Sequence, residues 1–346
     1  LSIHDIANLT NVSIATVSRY INGSGKVAGA TAQKIEQAMR ETGYRPSIRR
    51  PGRKTEKRQG VRTGVITFLS IGRFNAHHMH KEPVFPMLLA GLQGYLIEQG
   101  MMVSYAHSQG GDDIPEALES KYCDGVVVYG FESQLGPRLK AKLKTIPTVW
   151  CFNREDENAA RGFAQVSYDN HVVGELAADY LYQQGHRDVA IFSQMPGYVI
   201  FQQREKTFVD RCEALGMQVN CFHAPRENDA FSHYAQIIAQ QFVDSKATSS
   251  GLFFTSDNFM LAVYNELRVL GRTFDVSDMI GCNNEQQFLA HFHYKPATID
   301  IQVAQMGSRA AQLVLEMLNN PQSQTARRIK LKPQLIESAS IAGVSS

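Results

Sequence analysis

From Val61 onward the chain alternates short apolar runs with amphipathic stretches of helical period, and this alternation restricts the possible folds more than any other feature. Residues 64–70, 103–106, 125–129, 148–152, 189–193, 251–255 and 279–282 read as strands. Residues 86–98, 170–184 and 260–270 read as helices that stop close to Gly100, Gly185 and Gly271. Strands that recur after a helix must run parallel, because only a crossover returns the chain in the same direction, and the crossovers cover both sheet faces. Residues 61–346 are too many for one doubly wound sheet, so a body of two doubly wound parallel-sheet lobes is expected.

Residues 1–44 follow a different rule. Ile3, Ile6 and Ala7 are spaced for one helical face, Thr10-Asn11 breaks it, and Ser13 offers an N-cap to a second helix through Val17 and Ile21. Asn22-Gly23-Ser24-Gly25 is a turn, and Thr31 opens a third helix carrying Ile35, Ala38 and Met39 to a stop at Gly43. A helix, a tight turn and a second helix make an all-α helix-turn-helix head, whose second helix brings its N-terminal half to base edges in the major groove. Val12, Val17 and Ile21 fall on the inward face; Ile14, Ala15, Ser18 and Arg19 face out. Arg19 can fork onto a guanine edge, whereas Ile14 and Ala15 offer apolar contact such as a thymine methyl accepts. Ser2, Ser13, Thr16, Ser18, Asn22 and Thr31 are placed for phosphates, which position without specifying. A plain three-helix bundle with polar caps shows the same pattern, so the spacing alone leaves both readings open.

Charge separates them further. The net charge is +2. Residues 1–60 hold eleven Lys/Arg against four Asp/Glu, and the remainder holds twenty-four against twenty-nine. A basic head on an acidic body is the charge distribution of a nucleic-acid reader attached to a part that stays off the polyanion. Residues 45–60, with seven Lys/Arg and two Pro but no core pattern, form a linker.

Other classes find little support. Hydrophobic residues at 43% suffice for a core, and no apolar run approaches the roughly 20 residues of a membrane span. The first residues show no basic stretch followed by an apolar one, so no secretory signal is expected. Cys123, Cys151, Cys212, Cys221 and Cys282 are odd in number and lack a C-x-x-C spacing, which argues against a disulfide framework and fits a reducing cytoplasm. No Gly-x-Ser-x-Gly, Walker loop or His-Glu-x-x-His occurs, so neither an enzyme nor a cofactor is expected. His77-His78-Met79-His80, with His107, has the composition of a metal tract, but a polar loop is the simpler reading and no metal is expected.

Ile3-His4-Asp5-Ile6-Ala7, Asn11-Val12-Ser13-Ile14-Ala15-Thr16-Val17-Ser18-Arg19 and Ile21-Asn22-Gly23 closely resemble the head of the LacI/GalR (lactose/galactose repressor) family. Val27, Thr31, Ile35, Ala38, Met39, Gly43-Tyr44 and Pro46 continue the resemblance. In the body it runs through Thr63-Gly64-Val65-Ile66, Pro83-Val84-Phe85, Asp124-Gly125-Val126-Val127, Asp169-Asn170, Gly185-His186-Arg187, Ser256-Asp257 and Gly281-Cys282-Asn283-Asn284. It implies a body of two periplasmic-binding-protein-like lobes with a small-molecule effector in the crevice at the carboxyl ends of the strands.

Carried over by position, the resemblance implies Phe85, Tyr129, Arg204, Phe231, Asn283 and Gln302 as effector residues, although core packing explains each of them as well. The Arg204 fork suits hydroxyls or a carboxylate, and Phe85 and Phe231 stand where the family places aromatics against the ligand. Asn283 stands where an acidic residue is usual. The linker also departs from the family. Arg53 occupies the place of the minor-groove leucine, and Pro51-Gly52 before it opposes a hinge helix by about 3 and about 1 kcal/mol. Arg49-Arg50-Pro51-Gly52-Arg53-Lys54 resembles instead the cores of AT-hook peptides, which lie extended in A·T-rich minor grooves. A basic tether touching only phosphates fits equally.

These readings lead to residues 1–46 as the DNA-binding head, 47–60 as a basic hinge linker and 61–346 as the effector and dimerisation region. One lobe is expected over about 61–165 and 301–330, the other over about 166–300 and 331–346. The expected protein is a cytoplasmic homodimer, without membrane contact, that represses from a near-palindromic operator and responds to a sugar or sugar derivative. The rival is a solute-binding receptor of the same body fold, which predicts a signal peptide and no basic head.

Overall fold

The structure, a computed structural model, describes residues 3–22, 27–43, 60–72, 83–130, 132–152, 162–194, 198–223, 231–320 and 327–338. Ser2, the linker residues Arg49, Arg50, Arg53 and Lys54, the tract His77 to His80, and the side chains of Asn22 and Phe231 lie outside the described residues. The chain separates into two units, Leu1–Glu56 and Lys57–Ser346.

In the first unit, α1 (Ile3–Thr10), α2 (Ile14–Asn22) and α3 (Gly29–Thr42) close on a small core of Ile6, Ala7, Val17, Ile35 and Ala38. Asn11 turns the chain with φ 54, a conformation its short polar side chain tolerates. Ser13 then caps α2: its Oγ accepts the Thr16 N–H at 3.2 Å and its carbonyl accepts from Thr16 and Val17 at 2.9 and 3.1 Å. The third helix starts at Gly29, two residues before the Thr31 expected from sequence. Ala28 begins it without a side-chain cap, and Thr31 lies in its first turn with its N–H on Ala28 O at 2.9 Å.

The second unit contains β1 (Val65–Ile71), α4 (Val84–Glu98), β2 (Met102–Ser108), β3 (Gly125–Tyr129), α5 (Pro137–Lys144), β4 (Thr148–Cys151), β5 (Ala164–Tyr168), α6 (Asn170–Gln183) and β6 (Asp188–Ser193). It continues with α7 (Val199–Ala214), β7 (Gln218–His223), α8 (Phe231–Asp244), β8 (Gly251–Phe254), α9 (Asp257–Val269), β9 (Met279–Cys282), α10 (Gln286–Leu289), β10 (Ala297–Asp300), α11 (Val303–Asn319), β11 (Arg328–Leu331) and β12 (Gln334–Ile336). One sheet has the order β11-β5-β4-β3-β1-β2, all parallel. The other has the order β12-β10-β9-β8-β6-β7 and is parallel except for the edge strand β12.

Two glycines let α4 and α11 approach closely on the first sheet. A Cβ on Gly91 would lie 1.8 Å from Ala304 O, and one on Gly307 would lie 2.1 Å from Leu88 O. At the amino ends of the same strands, Asp124 gathers the chain entering β1. Its carboxylate accepts the N–H groups of Arg62, Thr63 and Gly64 at 2.7–3.0 Å.

Among the described residues the chain crosses between the sheets three times: from β5 into α6 at Asp169, from β10 into α11 at Gln302, and from β11 into β12 at Lys332. The crossings are tied together. Asp169 N–H donates to Leu331 O at 3.2 Å, and Lys330 Nζ stands 3.2 Å from Asp169 Oδ2.

Candidate functional site

The reading face of the head follows from which α2 positions fill its core. Val17 is fully buried and Val12 and Ile21 pack beside it, so Ile14, Ala15 and Arg19 are left exposed on the other face. Ile14 is 43% exposed, so its apolar side chain is open to contact on that face. Ser18 is half-buried, as are Thr16 and Thr31. The hydroxyls of Ser13 and Thr16 lie 2.8 Å apart at the exposed start of the helix. Arg19 is thus exposed on the same face as Ile14 and Ala15, an arrangement of guanidinium and apolar surface that could meet base edges.

In the body, the candidate residues gather at the carboxyl ends of the strands. Phe85 opens α4 against Tyr129 at the end of β3, ring centroids 5.4 Å apart and edge to face. Phe152, with φ 63 just after β4, continues the row at 5.5 Å from Tyr129, and Tyr168 at the end of β5 lies 5.9 Å from Phe152. These rings are buried. The row ends on Arg204, which α7 brings from the second sheet.

Arg204 is only 1% exposed, and its donors are largely consumed by neutral acceptors. Nε donates to Asn170 Oδ1 at 3.0 Å, one terminal nitrogen to Thr255 O at 2.5 Å, and the other to Tyr168 Oη at 2.7 Å and Asn283 Oδ1 at 3.4 Å. Asn283 relays this to a carboxylate, since its Nδ2 donates to Glu285 Oε1 at 2.9 Å. Glu285 also accepts the Asn258 N–H at 2.9 Å. Its own N–H donates to Asp257 Oδ2 at 2.7 Å, and Thr298 Oγ1 donates to Asp257 Oδ1 at 2.8 Å.

Two buried carboxylates thus share one buried guanidinium. Burial, then the neighbouring Glu285 charge, pushes the Asp257 carboxyl well above the usual carboxylate range. Burial opposes the charge on Arg204, but Cys282, Tyr168 and Glu285 around it outweigh that and raise its pKa. Nearby, Ser193 Oγ and Thr255 Oγ1 are buried hydroxyls with no hydrogen-bond partner among the described residues, at the ends of β6 and β8.

The structure brings together Phe85 with Tyr129 and Arg204 with Asn283, and joins the two pairs through Phe152 and Tyr168. It does not place Gln302 in that set. Gln302 has a left-handed backbone, φ 59 and ψ 44, and its side-chain amide donates to Lys332 O at the third crossing. Sequence reading missed Phe152, Tyr168, Asn170, Asp257 and Glu285. Tyr168 and Asp257 were open to detection, since each lies at a strand's carboxyl end, where doubly wound sheets bind ligands. His107 is bonded through Nδ1 to Ser70 Oγ at 3.0 Å, and among the described residues no group of three His, Cys, Asp or Glu is placed to hold a metal ion. Nor is any helix among them long and apolar enough to cross a membrane.

Comparison with known proteins agrees with this geometry. The profile of the bacterial regulatory proteins, lacI family, matches residues 2–47, and that of the periplasmic binding protein-like domain matches residues 178–341. The chain is 25% identical over 348 residues to the HTH-type transcriptional repressor PurR of Pasteurella multocida (strain Pm70), covering 97% of each. It is 23% identical to the HTH-type transcriptional regulator TreR of Escherichia coli (strain K12), covering 94% of this chain and 96% of that one. Among solved structures, the transcriptional regulator CelR–cellobiose complex superposes with a TM-score of 0.66 at 22% identity, covering 98% of this chain and 99% of that one. The lac repressor dimer bound to operator and the anti-inducer ONPF gives 0.63 at 15% identity, covering 98% of each. These structures share the fold of this chain.

Proposed function

We propose, from the premise that the chain belongs to the lacI family of bacterial regulatory proteins, that it is a DNA-binding repressor switched by a small molecule held between its two sheets. The observation that carries the reading is the α2 face on which Ile14, Ala15 and Arg19 are exposed beside a buried Val17. In this reading Ile14, Ala15 and Arg19 contact bases. Ser2, Ser13, Thr16, Ser18, Asn22 and Thr31 contact phosphates, and Arg49, Arg50, Arg53 and Lys54 lie in the minor groove or along the backbone. Residues 1–46 are the head and 47–60 the linker. The protein acts in the cytoplasm as a homodimer on a near-palindromic operator, and it is not an enzyme.

The effector meets the row Phe85, Tyr129, Phe152 and Tyr168 on one side and Arg204, Asn283 and the hydroxyls of Ser193 and Thr255 on the other, with Phe231 as a further candidate. Aromatic faces beside convergent hydroxyl and amide groups suit a sugar or sugar derivative, which has apolar C–H faces and a polar rim. That one structural neighbour is a cellobiose complex supports this class.

Two measurements test the reading. Selection of operators from random duplexes, followed by footprinting, should return a two-fold symmetric site. A thermal-shift screen of sugars, sugar acids and nucleobases should show stabilisation by about 2.7 kcal/mol for a ligand at about 100 times its Kd. Absence of any selected sequence would refute the DNA-binding reading. A nucleobase alone among the hits would refute the sugar class.

A further inference from the structure

Three non-glycine residues with left-handed backbone, Asn283 (φ 99), Asn284 (φ 58) and Gln302 (φ 59), lie in one hydrogen-bonded chain. It starts at the cleft, where Asn283 meets Arg204. The next residue, Asn284, donates through Nδ2 to Asp300 Oδ2 at 3.2 Å, and its N–H reaches Thr298 Oγ1 at 3.3 Å. The other Asp300 oxygen accepts the Gln302 N–H at 2.6 Å. Gln302 then reaches Lys332 O, on a different crossing between the sheets. Asn tolerates the left-handed region because its side chain bonds locally; Gln has no such advantage. A strained conformation persists only where its surroundings over-determine it, and such residues cluster at switches.

We propose that Gln302 is a positioning residue for the effector switch: its left-handed backbone and its bond to Lys332 O lock two of the three crossings together, and Asp300 and Asn284 connect that lock to the Asn283–Arg204 end of the cleft. The proposal rests on the reading of the cleft as the effector site. It reassigns Gln302 from contacting the effector to holding the arrangement of the lobes. Two features make this location effective. Asp169 N–H is already bonded to Leu331 O, so all three crossings are tied when Gln302 is in place. Gln302 also precedes α11, whose first residue Val303 is buried, so a change of backbone at 302 redirects a long helix packed on the first sheet.

The test measures the distance between lobes without effector or DNA. Spin labels at Ala141 of α5 and Gln236 of α8, both exposed, report it in a Cys221→Ser background, since the other four cysteines are buried. Labelled chains are diluted by subunit exchange into unlabelled protein so that one chain is read at a time. Wild type should give a single narrow distance distribution. Gln302→Gly takes the left-handed backbone freely but loses the bond to Lys332 O; it should keep its melting temperature and broaden or displace the distribution. Gln302→Asn, too short to reach Lys332 O, should behave like Gln302→Gly, and Asp300→Ala should reproduce the broadening by cutting the chain one residue earlier. Lowered melting temperatures with an unchanged distribution in all three variants would show a purely structural residue and overturn the proposal. Because no ligand enters the measurement, failure here leaves the effector reading standing, and failure to find an effector leaves this result valid.

Discussion

Replacing Arg204 by Met keeps most of the side-chain length and removes the charge, which isolates the electrostatic role of the buried guanidinium. The structure sets the scale of the loss. Asn170 Oδ1, Thr255 O, Tyr168 Oη and Asn283 Oδ1 lose their donor, and Asp257 and Glu285 are left without their common cation. Breaking a buried charge set by removing one partner costs about 3–5 kcal/mol. With m near about 3 kcal/mol/M, the urea midpoint should fall by about 1–2 M at fixed protein concentration. The pH dependence identifies the cause. Burial and Glu285 raise the Asp257 pKa in the folded state, so the folded protein holds a proton that the unfolded chain releases. Stability from that proton is fully present below the ordinary carboxylate pKa and is lost as pH rises through the raised one. Arg204 lowers the Asp257 pKa, so Arg204→Met moves the window to higher pH and its penalty should grow from acid to alkaline conditions. Asp257→Asn, which imitates the protonated acid, should recover part of the loss when combined with Arg204→Met. An unchanged midpoint, or a loss independent of pH and unaffected by Asp257→Asn, would refute the charge arrangement. Arg204→Ala is for the same reason a poor probe of effector binding alone.

Arg19→Ala should leave the head folded by circular dichroism, cost about 1–3 kcal/mol in operator binding and relax preference at one base pair of each half-site in footprinting. Gly307→Ala should destabilise the body by about 1–3 kcal/mol or more in urea unfolding, because its methyl meets Leu88 O, a backbone atom that moves only with α4. Arg53→Ala separates the two linker readings. Selective loss on A·T-rich operators indicates a minor-groove arm, whereas equal loss on all sequences with a salt slope reduced by about 1 indicates a phosphate tether.

Two central strands were legible to the residue, β3 (Gly125–Tyr129) and β9 (Met279–Cys282), whose apolar runs begin and end with the strand, whereas the central β5 (Ala-Gln-Val-Ser-Tyr) and β10 (Ala-Thr-Ile-Asp), buried but broken by polar residues, were not read. Of the edge strands, β2 (Met102–Ser108) was read in part, as 103–106, and β7 and β12 were not read. The strand β7 reads Gln-Val-Asn-Cys-Phe-His and β12 reads Gln-Leu-Ile, with solvent on one side, so neither alternation nor length distinguishes them from loop. The same limit applies to the site. Tyr129, Asn283 and Arg204 were expected at the site from their positions in the family resemblance, Arg204 as the first residue of Arg-Glu-Lys-Thr-Phe208, and the structure gathers Arg204 and Asn283 within hydrogen-bond reach. The burial of Asp257 and Glu285 arises from contacts between residues 28 and 41 positions apart in sequence, as in Glu285 N–H to Asp257 and Thr298 Oγ1 to Asp257, and periodicity carries no trace of them. For Gln302, sequence position fixes proximity to the cleft but not the backbone φ, which turns the side chain toward Lys332.

Asn283 in place of the usual acid has a local cause in Glu285. The Asn283 amide accepts from Arg204 through Oδ1 and donates through Nδ2 to Glu285 Oε1 at 2.9 Å, so one neutral group serves a cation and an anion at once. An aspartate there would lose the donor and face the Glu285 carboxylate at that distance, adding a third buried acid to a set whose crowding already raises the Asp257 pKa. Asn283→Asp should therefore destabilise the protein, and Glu285→Gln should rescue it, because the glutamine amide restores a donor opposite the new carboxylate. The expected coupling in a double-mutant cycle read by urea unfolding is about 1–3 kcal/mol. Raising the pH should enlarge the single-variant penalty, since ionising the new carboxyl next to Glu285 is what costs stability. If Asn283→Asp and Glu285→Gln instead add within about 0.5 kcal/mol, the two side chains do not interact, and the substitution at 283 needs another explanation.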